Sequence, residues 1–395
     1  MTLVESRPAP PPPSGPRPPS RSEDGAPRRR RWRRRRAMLL VLALLLAVPG
    51  LSYGRALSAP GGGSWQVRSV EWIRDNGGGA VVNAVENWYY AHHPPSASVP
   101  DPGSLPRVSA GGTATGASAE SPPPIPAVAG SPALPGEGVW VPGRADPSGA
   151  PAMYTTFERS DAAHPSVVVG VAWMRTSATS AHLVAGTRQP GGTGLPGDAR
   201  VPAADVASLV ATFNSGWKFT DIDGGFYVDG VTARPLRAGD ASVVIDDHGH
   251  VTVGQWGRDI TMTSHVRSVR QNLALVVDAG RPVAGLTTNA DGRWGSSRNQ
   301  FQFTWRSGLG TDANGNLVYV AGNGLTLQSL ADAMVGAGIR RGMELDIHSA
   351  MASFASWAPS ASGSVTPTKL LPGMHRPADR YLAPDQRDFF YLRLR

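Results

Sequence analysis

The sequence predicts an α+β fold, a mixed β-sheet domain with packed helices, preceded by a transmembrane helix and disordered proline-rich segments. Three observations lead there. Beyond Gly138, short β-rich runs recur between clusters of turn residues, and only one long helix is strongly marked among them. One apolar run stands directly after a block of arginines near the N-terminus. Finally, 36 prolines and 47 glycines in 395 residues leave long stretches with nothing to bury, so one folded domain with long connections is expected.

The elements follow in order. Residues 1–27 are rich in Pro, Ser and Arg and favour extended, solvated chain, so 1–36 reads as a disordered cytoplasmic tail. RRRRWRRRR, Arg28 to Arg36, then abuts AMLLVLALLLAV, Ala37 to Val48, and the apolar character continues to Gly54. A basic cluster flanking about eighteen apolar residues is a membrane-insertion signal whose positive end stays in the cytoplasm. Residues 37–57 are therefore expected to be a single-pass signal anchor in the cytoplasmic membrane, with the C-terminal domain outside; a signal peptide cleaved near Ala56 to Ala59 is the alternative. Within 58–93, Trp65, Val70, Ile73, Val81, Val85, Trp88 and Tyr89 fit two short amphipathic helices separated by Gly77, Gly78 and Gly79. Such helices suit either the lipid interface or packing on the downstream domain. Residues 94–136 read as a Pro/Ser/Gly-rich linker, and 137–395 as the domain.

In that domain, Met153 to Phe157, Val167 to Met174, His182 to Ala185, Val210 to Phe213 and Leu273 to Val277 read as strands. Ala241 to Ile245 and His250 to Gly254 form a hairpin around Asp246-Asp247-His248-Gly249, and Leu317 to Ala321 follows the turn Asp312 to Asn316 in the same way. Thr326 caps a helix whose apolar residues Leu327, Leu330, Met334 and Val335 recur at helical spacing until Gly336 and Gly338 stop it. A short strand, about Ile339 to Asp346, comes next.

Composition narrows the function. The formal charge of +8 lies wholly in residues 1–36, where eleven arginines face three acids; the remainder balances, with Lys218 and Lys369 its only lysines, so no nucleic-acid partner is expected. Without cysteine there is no disulfide, thiolate metal site or thiol nucleophile. Phosphate-loop, dinucleotide, HExxH and GxSxG patterns are all missing, so neither cofactor nor metal is expected. What remains is the strand end GMELDIHSAMASF, where Asp346 precedes His348 and Ser349, and the loop FNSGWKFTDIDGG. This loop leaves a strand at Phe213 and carries Asn214, Asp221 and Asp223 before Gly224 and Gly225, the composition that lets backbone approach a ligand. Arg306, between Trp305 and Ser307, offers a fork for phosphate or carboxylate.

FNSGWKF, GGFYVDG, WRSGLG, NGNLVYVAG, LTLQSLADAMVGAG and GMELDIHSAMASF, in that order from about Met153 to Trp357, resemble the phosphodiester glycosidase family, here of a membrane-anchored actinobacterial type. That family includes an enzyme that removes N-acetylglucosamine from a phosphodiester, and the resemblance matches Asn214, Arg306 and Asp346 to the family's polar motif positions. It implies a hydrolase of sugar-phosphodiester linkages in envelope glycans, with Arg306 holding the phosphate and Asp346 acting as acid, base or nucleophile. Asp223, Gly224, Gly225, His348 and Ser349 would then bind substrate. The chain departs from the family where Ile347, His348 and Ser349 replace a triglycine, which keeps a second expectation open: a non-catalytic glycan-binding or interaction protein on the same fold.

Overall fold

A computed structural model describes residues 9, 15, 26–58, 64–100, 103, 105–106, 120–128, 130–295, 301–360 and 362–395. Most of the expected tail, and residues 107–119 of the expected linker, lie outside the described residues. The chain divides into two compact units, 1–56 and 57–395. In the first, a helix begins at Ala26 and runs to Ser58, so Arg28 to Arg36 are helical where disorder was expected; arginine is a good helix former, and an apolar helix follows to extend. Within it Arg34–Ser58 is long and apolar enough to cross a membrane, the length and composition that a signal sequence also shows.

The second unit opens with a helical hairpin. Trp65–Ile73 and Gly79–His92 are α-helical, and the segment between them breaks at Asn76 and Gly77, whose φ of +87° glycine adopts without steric cost. Here the glycine triplet acts as the sequence suggests.

Three antiparallel sheets form the domain. The largest runs Val141–Pro142, Met153–Glu158, Val169–Met174, Leu317–Leu325, Thr304–Thr311, Arg341–Ile347, Leu275–Asp278 and Arg281–Pro282 from edge to edge. A second orders Val231–Arg234, Phe226–Val228, Val266–Gln271, Ala241–Asp246 and Val251–Gln255. The third orders Val365–Lys369, Phe354–Pro359, Leu209–Asn214, Phe389–Leu394 and Thr179–Val184. Chain-distant strands thus become neighbours, with Leu209–Asn214 lying between Phe354–Pro359 and Phe389–Leu394.

The inner faces meet in one apolar core. Phe213 packs its ring against Phe354, Phe390 and Tyr319 at centroid distances of 5.7, 5.5 and 5.4 Å, joining the third sheet to the first. Phe226, Val243 and Val253 extend this core into the second sheet. On the other face of the large sheet the Leu327–Gly336 helix buries Leu327, Leu330, Ala331 and Met334. Its start is a capping box: Thr326 Oγ1 accepts from the Ser329 N–H at 3.1 Å, while Ser329 Oγ accepts from the Thr326 N–H at 2.9 Å.

One stretch read as linker belongs to the fold. Ile125 is buried beside Val167 and Leu325, its N–H bonded to Gly138 O at 3.2 Å, and Trp140 donates to Pro123 O at 2.8 Å. Proline-rich chain has no periodic pattern to announce that it will lie along a domain, and Ile125 is joined there by bonds from Asn316 to Glu120 and from Arg159 to Pro132 O.

Candidate active site

A cavity of about 880 Å³ opens where the Arg341–Ile347 strand ends. Asp346, Ile347, His348, Ser349, Ala350 and Met351 form one wall, Trp217, Lys218 and Asp221 another, and Arg387 reaches in from the approach to the last strand. The helical hairpin supplies the facing wall through Glu71, Arg74, Asp75, Asn83 and Glu86.

Asp346 is held from both sides. Its Oδ1 accepts from the Ile347 N–H at 2.8 Å and its Oδ2 from Arg387 Nη2 at 2.8 Å. Burial pushes its carboxyl up to about 6, despite the opposing pull of Arg387 and Arg270. Arg387 Nη2 also donates to Gly216 O at 2.9 Å, whereas its Nε is buried without a partner. Behind it Arg270 is wholly buried, donating to Asp388 Oδ2 at 2.7 Å and to Trp217 O at 2.6 Å, which fixes the loop that carries Trp217 and Lys218.

His348 follows at φ +78°, a left-handed conformation that non-glycine residues adopt only with strain, and it stands where the resemblance expects a glycine. Its N–H donates to Trp305 O at 2.9 Å, which fixes the bend. Burial, with Arg74 and Arg306 nearby, pushes the imidazole down to about 3, so the ring is neutral. Its Nδ1 lies 3.6 Å from Glu86 Oε2, beyond hydrogen-bond reach, and has no partner.

The other expected site residues lie elsewhere. Asn214 sits under the site: its Oδ1 accepts from Tyr319 OH and the Ser353 N–H, both at 2.9 Å, and its Nδ2 donates to Ser307 Oγ at 3.0 Å. Ser307 Oγ in turn donates to Asp346 O at 3.1 Å, so Asn214 braces the strand that carries Asp346 without lining the cavity. Arg306 points the other way. It shares a face of its strand with Gly308, where an added Cβ would meet Met334 of the helix, and there it donates to Glu344 Oε1 at 2.6 Å and Leu325 O at 2.8 Å. Period-two alternation therefore directs its guanidinium into the layer between sheet and helix, away from the cavity. Asp223 is exposed and paired with Arg237 at 2.7 Å. Gly224 and Gly225 are packed against backbone; a Cβ at Gly225 would lie 2.6 Å from Pro235 O. Of the expected site residues, Asp346, His348 and Ser349 line the cavity, as does Asp221 of the candidate loop.

No local pattern in the sequence marks Arg387. Its segment, PDQRDFF, has no motif spacing to the Asp346 stretch, and only strand pairing brings it there. Asp246, Asp247 and His248 hold potential metal-ligand atoms within 4.8 Å of one another, but Asp246 Oδ1 already accepts from the His248 and His250 N–H groups and so shapes the hairpin turn.

No protein-family model and no curated protein matches this chain. Among solved structures it is similar to the zebrafish N-acetylglucosamine-1-phosphodiester alpha-N-acetylglucosaminidase catalytic domain auto-inhibited by pro-peptide, at 17% identity and a TM-score of 0.42, over 64% of this chain and 86% of that one. It is also similar to a hypothetical protein from Synechocystis, at 13% identity and a TM-score of 0.36, over 62% of each chain. Both are weak likenesses.

Proposed function

We propose that this chain is a hydrolase of sugar phosphodiesters in the cell envelope, held at the cytoplasmic membrane by the Arg34–Ser58 helix with the domain outside. The observation that carries the reading is Asp346, a buried carboxyl at the cavity wall, bonded to Arg387 and pushed up to about 6. Above that pH it is ionised, so it serves as base or nucleophile toward the anomeric carbon. A phosphomonoester is an able leaving group and has little need of an acid, but its charge needs cations; Arg387, Arg74, Lys218 and Arg188 line the cavity, each paired with a carboxylate there with which the phosphate would compete. Arg387 takes the phosphate role first expected of Arg306.

The test is sugar release by the full-length chain, in detergent or bilayer, from an N-acetylglucosamine phosphodiester and from envelope glycan extracts. Release abolished by Asp346→Asn supports the hydrolase; no release from any substrate sinks it. A second reading, a glycan-binding protein, has one observation in its favour: the His348 side chain fills the position where the resemblance expects backbone open to substrate.

A further inference from the structure

The Trp65–His92 hairpin has two unlike faces. Its inner face carries the charged groups and is tied to the domain: Glu71 accepts from Arg376 at 2.8 Å and Asp75 from Lys218 at 2.7 Å, while Asn83 and Glu86 line the cavity with Val67 and Val70. The outer face is apolar. Trp65 and Val81 are each 66% exposed, Trp88 60% and Val85 59%, with Tyr89 beside them. Val81, Val85, Trp88 and Tyr89 fall at i, i+4, i+7 and i+8 of one helix, a continuous stripe, and the acids Glu71 and Glu86 are turned away from it. A soluble surface rarely leaves so much aromatic and branched side chain in one patch.

From this stripe we infer that the outer face of the hairpin docks on the lipid bilayer at headgroup depth, which would hold the cavity close to the membrane surface, behind the hairpin that walls it. The inference rests on the reading of Arg34–Ser58 as a span. Only six residues of sequence separate Ser58 from Trp65, about 20 Å of chain at full extension, so the hairpin is tethered within reach of the interface. Trp and Tyr are the side chains that settle there, with an apolar body in the acyl boundary and a polar edge toward water. Because the inner face is bonded to the domain, lipid contact by the outer face carries the cavity with it. A sugar phosphodiester borne on a lipid or on a surface-attached glycan is then the substrate class presented to Asp346.

The chain contains no cysteine, so an introduced one is the sole labelling site. Spin labels at Val81→Cys and Val85→Cys in the full-length chain, reconstituted into phosphatidylcholine/phosphatidylglycerol nanodiscs, report collision with oxygen against a water-soluble nickel chelate. Thr232→Cys, at an exposed strand position, gives the aqueous reference, and Leu46→Cys tests the span. Docking predicts a several-fold higher oxygen-to-nickel ratio at Val81 and Val85 than at Thr232. A ratio equal to that at Thr232, with Leu46 in lipid, overturns the docking and leaves the span intact. Poor access of both reagents at Val81 and Val85 means that protein covers the stripe, and also overturns it. A water-exposed Leu46 overturns the span and the docking together.

Discussion

Arg387 donates to Asp346 across 41 residues of sequence at 2.8 Å, and both residues line the cavity. It joins a strand end in the large sheet to the approach to the last strand of another, so its geometry depends on how the sheets pack. The carboxyl gains a cation and a backbone N–H, but burial outweighs both and keeps its proton affinity high.

Asp346→Asn keeps the shape and removes the base. Sugar release should fall by about 10²- to 10⁴-fold with the far-UV spectrum unchanged. Assays normalised to folded protein check this, and undiminished turnover would remove Asp346 from the chemistry.

The pH profile follows from the direction of the shift. An unfolded aspartate titrates near 3.9 and the folded Asp346 at about 6, so its contribution to stability is full below about pH 4 and is lost as pH rises through 6, by about 3 kcal/mol. The melting temperature of wild type minus that of Asp346→Asn should therefore shrink between pH 4 and 6. Over the same range kcat/KM should climb, because the proposed hydrolysis uses the ionised carboxylate.

His348 titrates in the opposite sense. Its folded value of about 3 lies below the 6.5 of a free imidazole, so its stabilising contribution is present above pH 6.5 and is lost as pH falls toward 3. By pH 5 the loss reaches roughly 2 kcal/mol. Asn tolerates positive φ and does not titrate, so His348→Asn should flatten this limb in denaturant melts between pH 7 and 5.

Arg306 and Arg387 should separate stability from function. Arg306 and Glu344 are buried together, and Arg306→Gln removes the buried cation that Glu344 pairs with, so unfolding free energy should drop by about 3 to 5 kcal/mol. Arg387→Lys keeps a charge beside Asp346 but loses the fork, and should depress kcat/KM more than the melting temperature. Urea melts paired with turnover distinguish the two; loss of turnover without loss of stability in Arg306→Gln would return Arg306 to the site.

A chain truncated to start at Gly138 should fold less stably than one starting at Ser64. It loses buried Ile125, a contribution of about 1.5 to 3 kcal/mol, together with the hairpin's pairs to Arg376 and Lys218. Equal urea midpoints would show that both segments are dispensable for the domain.

By itself, the sequence determined what short-range physics controls. Periodicity and capping placed the Leu327–Gly336 helix, alternation and turn residues placed the Ala241–Gln255 hairpin, and an arginine-flanked apolar run marked a candidate span. It also singled out Asp346, because a polar residue closing an apolar strand is a local pattern. Only the tertiary structure decided which side chains meet. Arg306 and Asp346 sit on paired strands yet point to different places, since each strand has two faces and sequence does not say which one a helix will cover. Arg387, the hairpin acids and Ile125 reach the site or the core through contacts between distant segments, and no local periodicity encodes such contacts; they follow from burying the faces of three sheets at once.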